Sequence, residues 1–345
     1  MVVGVVGATG MVGRELLHLL EPRRALAGQL RPFSSGRGRA FVNFRSRRLD
    51  APAPDLKSLE SCGLVFFVSS DEVSQRYAKV LAARGVWVID DSAAYRMDHA
   101  VPLIIPEVNA SALKRGQRLI AGPNCTMTGL AVAGGLLHRA VGVKEARIAT
   151  YQAVSGAGKS ALGELFSQTK TLSDLNLTAD IRAPILGPGK SSVLPRPIAF
   201  NVIPQVGRFG EDGYSGEETK VADELRKVWA APNLKVSVTA VRVPSIRGHA
   251  LAAWLALSKP LTQARARALL AKTPGLSLCA ANDYPTPRSA GGKGKVFAGR
   301  LRQGVSTREI ALWIVSDNLL KGAALNSVQI AELIHKKGWL QSNGD

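Results

Sequence analysis

The chain has 345 residues, 46% hydrophobic and 21% charged, a balance that excludes global disorder and leaves room for two buried cores. Its apolar runs are broken well short of a membrane span, and Val2 opens an apolar strand with no basic leader before it, so a soluble cytoplasmic protein without a membrane partner is expected. Lys and Arg number 45 against 26 Asp and Glu, giving +19 at pH 7, but they are spread along the chain without a zinc finger, RNA-recognition signature or basic zipper, so no nucleic-acid partner is expected.

In chain order, the apolar run Val2–Val6 leads into Gly7-Ala8-Thr9-Gly10-Met11-Val12-Gly13, and Arg14–Leu20 carries apolar residues at helical spacing. Strand, glycine turn and helix predict the opening of a dinucleotide-binding unit. Gly7, Gly10 and Gly13 would admit a pyrophosphate to backbone N–H groups at the helix N-terminus. A second strand is predicted at Leu30–Ser34, followed by Ser35-Gly36-Arg37-Gly38-Arg39. No carboxylate stands there to bind a ribose diol. The guanidinium of Arg37 or Arg39 suits a 2′-phosphate, and a solvated basic loop is the plainer alternative. Buried strands at Leu64–Val68 and Val86–Ile89, with a helix at Val73–Ala83 between them, predict a parallel, doubly wound sheet.

Leu119 and Ile120 precede Ala121-Gly122-Pro123-Asn124-Cys125-Thr126, and Leu130–Leu137 behind is apolar and helix-forming. Cys125 is thereby placed at a helix N-terminus, where the dipole and free N–H groups favour thiolate, although a lone Cys in such a place is more often structural. Cys62, Cys125 and Cys279 lack metal-ligand spacing and are odd in number. Free thiols in a reducing compartment and no metal site are expected, with Cys62 and Cys279 as small core residues. Beyond about Ile120 loops lengthen, as in the Pro- and Gly-rich Thr178–Pro197, and strand-like stretches at Arg147–Ala153, Val236–Val243 and Leu251–Leu257 suggest a mixed sheet. Asn326–Lys337 reads as an amphipathic helix with Val328, Ile330, Ala331, Leu333 and Ile334 as its apolar residues. No low-complexity linker intervenes, so the second domain should pack tightly on the first.

Together with the glycine turn and Pro123-Asn124-Cys125-Thr126, the segments Tyr151-Gln152-Ala153-Val154-Ser155-Gly156-Ala157-Gly158, Arg242-Val243-Pro244, Gly248-His249 and Ser316-Asp317-Asn318-Leu319-Leu320-Lys321-Gly322-Ala323-Ala324 stand in one order over nearly the full length. In these the sequence resembles the bacterial aspartate-semialdehyde dehydrogenases. The resemblance implies an α/β fold: an N-terminal Rossmann-like NADP-binding domain at 1–121, completed by a C-terminal helix at 325–345, with an α+β catalytic and dimerisation domain at 122–324. It also implies a homodimer that interconverts 4-phospho-L-aspartate and L-aspartate 4-semialdehyde, with NADP as cofactor and inorganic phosphate as co-substrate, for lysine, threonine and methionine synthesis.

The same resemblance assigns roles at matching positions. Cys125 would be the nucleophile, His249 the acid/base and Gln152 a contact to the substrate carbonyl region. Arg242 would hold the substrate carboxylate and Glu217 its amino group, with Asn124 also at the substrate, and Lys220 and Arg96 would bind phosphate. Gly7, Thr9, Gly10, Met11, Val12, Arg37, Gly38, Ser155, Gly156 and Asn318 would contact the cofactor. The register between Glu217 and Glu218 is open, and His18, His99, His138 and His335 match no motif.

Two departures stand out. Asp91 in Asp90-Asp91-Ser92 replaces the usual Asn and adds a carboxylate near Arg96, and Thr126-Met127-Thr128 departs from the usual Ser/Thr-Thr. The nearest rival, N-acetyl-γ-glutamyl-phosphate reductase, typically sets its nucleophile in Gly-Cys-Tyr rather than Pro-Asn-Cys-Thr. A nucleic-acid-binding protein on a Rossmann scaffold, suggested by the charge, leaves the Cys, Gln, Arg and His motifs without a purpose.

Overall fold

A computed structural model describes residues 1–173 and 191–340. In its first part β1 (Val2–Val6) runs through the glycine turn into α1 (Met11–Leu20). There follow β2 (Gln29–Phe33), a hairpin of β3 (Phe41–Phe44) and β4 (Arg47–Asp50), α2 (Leu56–Glu60), β5 (Leu64–Phe67), α3 (Asp71–Ala83), β6 (Trp87–Asp90), α4 (Pro106–Asn109) and β7 (Leu119–Ala121). Five of these strands form a parallel sheet in the order β2-β1-β5-β6-β7. A Cβ at Gly7 would stand 2.5 Å from the Val68 carbonyl oxygen, and one at Gly13 only 2.2 Å from that of Gly7. The β1–α1 turn therefore closes only with glycine at both places.

The second part begins with α5 (Cys125–Val141) and β8 (Val143–Gln152), then α6 (Lys159–Ser173), α7 (Gly216–Val228), β9 (Lys235–Arg242), β10 (His249–Leu257) and α8 (Gln263–Ala271). It ends with β11 (Leu276–Leu278), α9 (Pro287–Ala290), β12 (Val296–Gln303), β13 (Glu309–Ser316), a π-turn at Leu320–Ala324 and α10 (Leu325–Lys336). The six strands make a mixed sheet in the order β11-β12-β13-β10-β8-β9. The C-terminal helix stops at Lys336, and residues 341–345 of the predicted closing segment lie outside the described residues, as does 178–190 of the predicted Pro- and Gly-rich loop.

Alternation along the parallel strands explains the packing. Val3, Val5, Phe66, Ile89 and Ile120 share a core with Leu16, Leu17 and Leu20 of α1 and with Val328, Ile330 and Ile334 of α10. Val65, Phe67 and Val88 join Tyr77, Ala78 and Leu81 of α3, and that core runs on through Met127 and Leu130 of α5 to Leu251 and Leu312 in the mixed sheet. The sheet is thus wound on both faces, and α5 belongs to a core common to both parts, which is the tight packing the missing linker predicts.

Cys62 is buried as expected, whereas Cys279 is only half-buried at the start of a loop and does not serve as a core residue. His138 has a packing role: it stacks on Trp229 with ring centroids 5.1 Å apart and accepts the Val143 N–H at 3.1 Å. Among the described residues, no helix is long and apolar enough to cross a membrane.

Candidate active site

Both sheets end at one cleft of about 370 Å³. The parallel sheet contributes residues from the loops at the carboxyl ends of its strands, where open α/β sheets place their ligands. Register governs the mixed sheet. Gln152 of β8 lies opposite Arg242 of the parallel β9, while the antiparallel β10 begins at His249, opposite Ser316 at the end of β13. Gln152, Arg242, His249 and Asn318 therefore meet at one sheet edge.

The cleft brings together Cys125, His249 and Gln152 with Arg96, Asn124, Glu217, Lys220 and Arg242. Val12, Ser155, Gly156 and Asn318 line it as well. Gly7, Thr9, Gly10 and Met11 form the turn leading to Val12, and Arg37 and Gly38 stand on an exposed loop after β2, outside the cleft lining.

Cys125 opens α5. Asn124 caps that helix, its Oδ1 accepting the N–H groups of Thr126 at 2.8 Å and Met127 at 3.0 Å. Gly322 of the π-turn lies behind the nucleophile, so close that a Cβ there would stand 2.8 Å from Cys125 Cβ. The thiol does not follow the expectation drawn from helix position: burial and then the Glu217 carboxylate push it up to about 11, against the pull of Arg96 and Arg242. Desolvation beside a carboxylate outweighs the dipole of one helix end, and the resting group is the thiol.

His249 is buried and accepts the Ala153 N–H on Nδ1 at 3.0 Å, so the neutral ring carries its proton on Nε2. Its Cε1–Nε2 edge faces Gly156, as does Nη1 of Arg242. Burial, reinforced by Arg242, holds the imidazole well below its ordinary range, which keeps it neutral. Arg242 is itself anchored by one N–H donated to the Ala153 carbonyl at 2.8 Å.

The neighbouring glutamates of α7 separate cleanly. Glu218 is buried and accepts the N–H groups of Ser215 at 2.6 Å and Ala240 at 2.8 Å. Glu217 faces the cleft, and its Oε1 accepts from Asn124 Nδ2 at 3.0 Å, Thr126 Oγ1 at 3.1 Å and Gln152 Nε2 at 2.8 Å. With its amide nitrogen committed to this carboxylate, Gln152 keeps a buried Oε1 that has no partner among the described residues. Lys220, one turn on, is exposed at the cleft margin.

Arg96 is buried. It donates from Nη1 to Glu224 Oε1 at 3.0 Å and from Nη2 to the Asp91 carbonyl at 2.6 Å, and its Nε lacks a partner among the described residues. The Asp91 side chain turns away toward α10, where Oδ1 accepts the Ser327 hydroxyl at 2.6 Å. Thr126 and Glu224 are the residues that sequence reasoning missed. Glu224 had a signal: it follows Glu217 and Lys220 at i+7 and i+4, on the same face of α7.

The cofactor side fits a dinucleotide. Gly10, at the cap of α1, places no side chain over the first N–H groups of that helix. Across the cleft Asn318 joins two segments, donating to Ser155 Oγ at 2.9 Å and accepting the Gly248 N–H at 2.9 Å.

Two family models match: "Semialdehyde dehydrogenase, NAD binding domain" over residues 2–116 and "Semialdehyde dehydrogenase, dimerisation domain" over residues 134–321. The aspartate-semialdehyde dehydrogenase of Shewanella violacea is 39% identical over 337 residues, covering 96% of each chain. That of Bacillus subtilis is 38% identical over 340 residues, covering 97% of each. The crystal structure of aspartate-semialdehyde dehydrogenase II from Vibrio cholerae superposes with a TM-score of 0.90 at 35% identity, over 97% of this chain and 98% of that one. The match over nearly the whole chain, with one family model on each part, leads to one assignment: this chain belongs to the aspartate-semialdehyde dehydrogenase family.

Proposed function

We propose that the chain is a phosphorylating aspartate-semialdehyde dehydrogenase, acting in the cytoplasm as a homodimer and, in the biosynthetic direction, reducing 4-phospho-L-aspartate to L-aspartate 4-semialdehyde with release of inorganic phosphate. Residues 1–121 with 325–345 serve as the cofactor-binding unit, and 122–324 as the catalytic and dimerisation unit. The observation that carries the reading is the gathering around Cys125 of one carboxylate (Glu217) and two buried guanidinium groups (Arg96, Arg242), in a cleft that His249 also lines.

That set matches the substrate charge by charge. Arg242 takes the α-carboxylate through its planar fork, Glu217 takes the α-ammonium, and Arg96 with Lys220 takes the phosphate. Burial is the larger cause of the raised Cys125 thiol and the Glu217 carboxylate the second, and an ammonium on Glu217 cancels that second part, so substrate binding shifts the group toward thiolate. The thiolate attacks the acyl carbon, a C–S bond forms, and phosphate departs to Arg96 and Lys220, leaving an acyl-thioester on Cys125. A nicotinamide cofactor, NADPH in this reading, would when bound supply the hydride that takes the thioester carbon to the aldehyde level, and the C–S bond to Cys125 then breaks, releasing the aldehyde and returning the thiolate. The turn at Gly7, Thr9, Gly10, Met11 and Val12 would hold its pyrophosphate, Arg37 and Gly38 its 2′-phosphate, and Ser155, Gly156 and Asn318 the end nearest Cys125. His249 offers its Nε2–H to the oxygen as charge develops there, which is the proton-giving half of an acid/base role. Gln152 orients Glu217 through its amide nitrogen, and its buried Oε1, which has no partner among the described residues, is the acceptor left for the substrate carbonyl region in this reading.

The test is phosphate-dependent NADP reduction with aspartate semialdehyde and, in parallel, N-acetyl-glutamate semialdehyde. Strong preference for the first is expected. Equal turnover, or preference for the acetylated aldehyde, would transfer the reading to N-acetyl-γ-glutamyl-phosphate reductase.

A further inference from the structure

We infer that Glu224 is a positioning residue that locks the phosphate-binding guanidinium of Arg96 to the cap of the nucleophile's helix; the inference rests on the reading of Arg96 as part of the phosphate site. Glu224 sits in the second half of α7 with its side chain 1% exposed. Its two oxygens serve two different donors. Oε1 takes Arg96 Nη1 at 3.0 Å, and Oε2 takes the backbone N–H of Asn124 at 2.6 Å. The second bond is to main chain directly before Cys125, so the carboxylate cannot shift without disturbing the cap or releasing the guanidinium.

Arg96 is tied at its other arm to the Asp91 carbonyl, and Asn124 caps α5 with its own side chain. Anion site and nucleophile thus form one unit held through a single carboxylate. Leaving or attacking phosphate must lie within bonding reach of the carbon attached to Cys125, and such fixed spacing is what effective molarity requires. A buried carboxylate also persists only when its oxygens are matched, as these are. Glu217, Lys220 and Glu224 lie on one face of α7, so this helix supplies an ammonium contact, a phosphate contact and the clamp between them.

Glu224→Gln keeps the shape but leaves one acceptor oxygen for two donors, and its amide NH2 must oppose either the Asn124 N–H or the guanidinium. In the semialdehyde-oxidising direction the KM for phosphate should rise about tenfold or more. NADP affinity and the burst of NADPH formed without phosphate should remain, because phosphate attacks only after the thioester exists. Glu224→Asp keeps the charge but shortens the arm, and the same split is expected. Arg96→Ala is measured alongside. If it raises the phosphate KM while neither Glu224 variant does, the clamp is wrong and the Arg96 reading stands. An unchanged phosphate KM in Arg96→Ala sinks both. Loss of NADP binding and burst in step with phosphate affinity in both Glu224 variants would reduce Glu224 to a structural residue and overturn the inference.

Discussion

Asp91 illustrates how much one side chain can alter. One of its carboxyl oxygens meets Ser327 and the other is buried without a partner among the described residues, and burial pushes the group from 3.8 up to about 6. The folded chain therefore holds this proton more tightly than the unfolded chain. That contribution is fully present below pH 3.8 and is lost as pH rises through about 6. Asp91→Asn should consequently be close to neutral near pH 4 and stabilise the protein by about 2–3 kcal/mol above pH 7, as read from urea unfolding at both pH values. A gain independent of pH would show that the carboxylate is not strained. Cys125 makes the complementary case. With Glu217 beside it, alkylation by iodoacetamide should accelerate as pH rises well beyond neutrality, and Glu217→Gln should displace the profile to lower pH. An unmoved profile would remove Glu217 from the thiol's surroundings. At this scale the sequence alone set Cys125 apart by placing it at a helix N-terminus, whereas His249, Arg242 and Gln152 were legible only through the resemblance. Their partners lie across strand pairings that no local pattern encodes. Glu218 could have been separated from Glu217 by noticing that it stands three residues after Ser215, the spacing of a capping box.

Among the elements, the π-turn behind Cys125 is held by a group with no evident role in chemistry. Lys321 is fully buried and gives its three N–H groups to Glu107 at 2.7 Å, Asn326 at 3.0 Å and Gln329 at 2.7 Å, tying the turn to α4 and α10. Lys321→Met would fill the space and leave Glu107 without its cation, costing about 3 kcal/mol or more, to be seen as a lower urea midpoint at unchanged slope. In a Glu107→Gln background the penalty should shrink, because no buried charge is left alone. An equal penalty in both backgrounds would mean that the pair itself contributes little. Such devices are invisible to periodicity, since a buried Lys reads as a surface residue. Strands were legible where their pattern was uniform: β5 is a continuous apolar run and β6 is apolar up to its final Asp90, both within a residue of their predicted bounds. β8 begins at Val143, four residues earlier than predicted, because Lys144 and Glu145 interrupt its apolar pattern on the way to the buried Ala146. The pairing order that puts β8 between β9 and β10 came only from the structure, and that order assembles the site.

For the whole molecule, the charge of +19 finds a use if both ligands are anionic. A positive surface raises the local concentration of a dinucleotide phosphate and an acyl phosphate, and the effect fades as the Debye length falls from about 10 Å at 0.1 M salt to about 3 Å at 1 M. The KM for NADP should therefore climb as KCl is raised, while kcat, measured at saturation, stays nearly constant. Superimposed on that general field is the local contact proposed for Arg37, which stands exposed on the loop after β2. Arg37→Ala should weaken NADP about tenfold to a hundredfold and leave NAD almost unaffected, and its NADP curve should start higher and rise less steeply with salt. Equal losses for the two cofactors would separate Arg37 from the 2′-phosphate, and a KM indifferent to salt would leave the excess charge unexplained by cofactor capture. The same titration addresses the polyanion alternative. Duplex DNA held only by the general field should lose its grip steeply between about 0.05 and 0.2 M salt, as non-specific phosphate contacts do, without displacing NADPH at the higher value. Tight binding of DNA that survives 0.2 M salt and excludes the cofactor would mean that the basic surface was built for a nucleic acid.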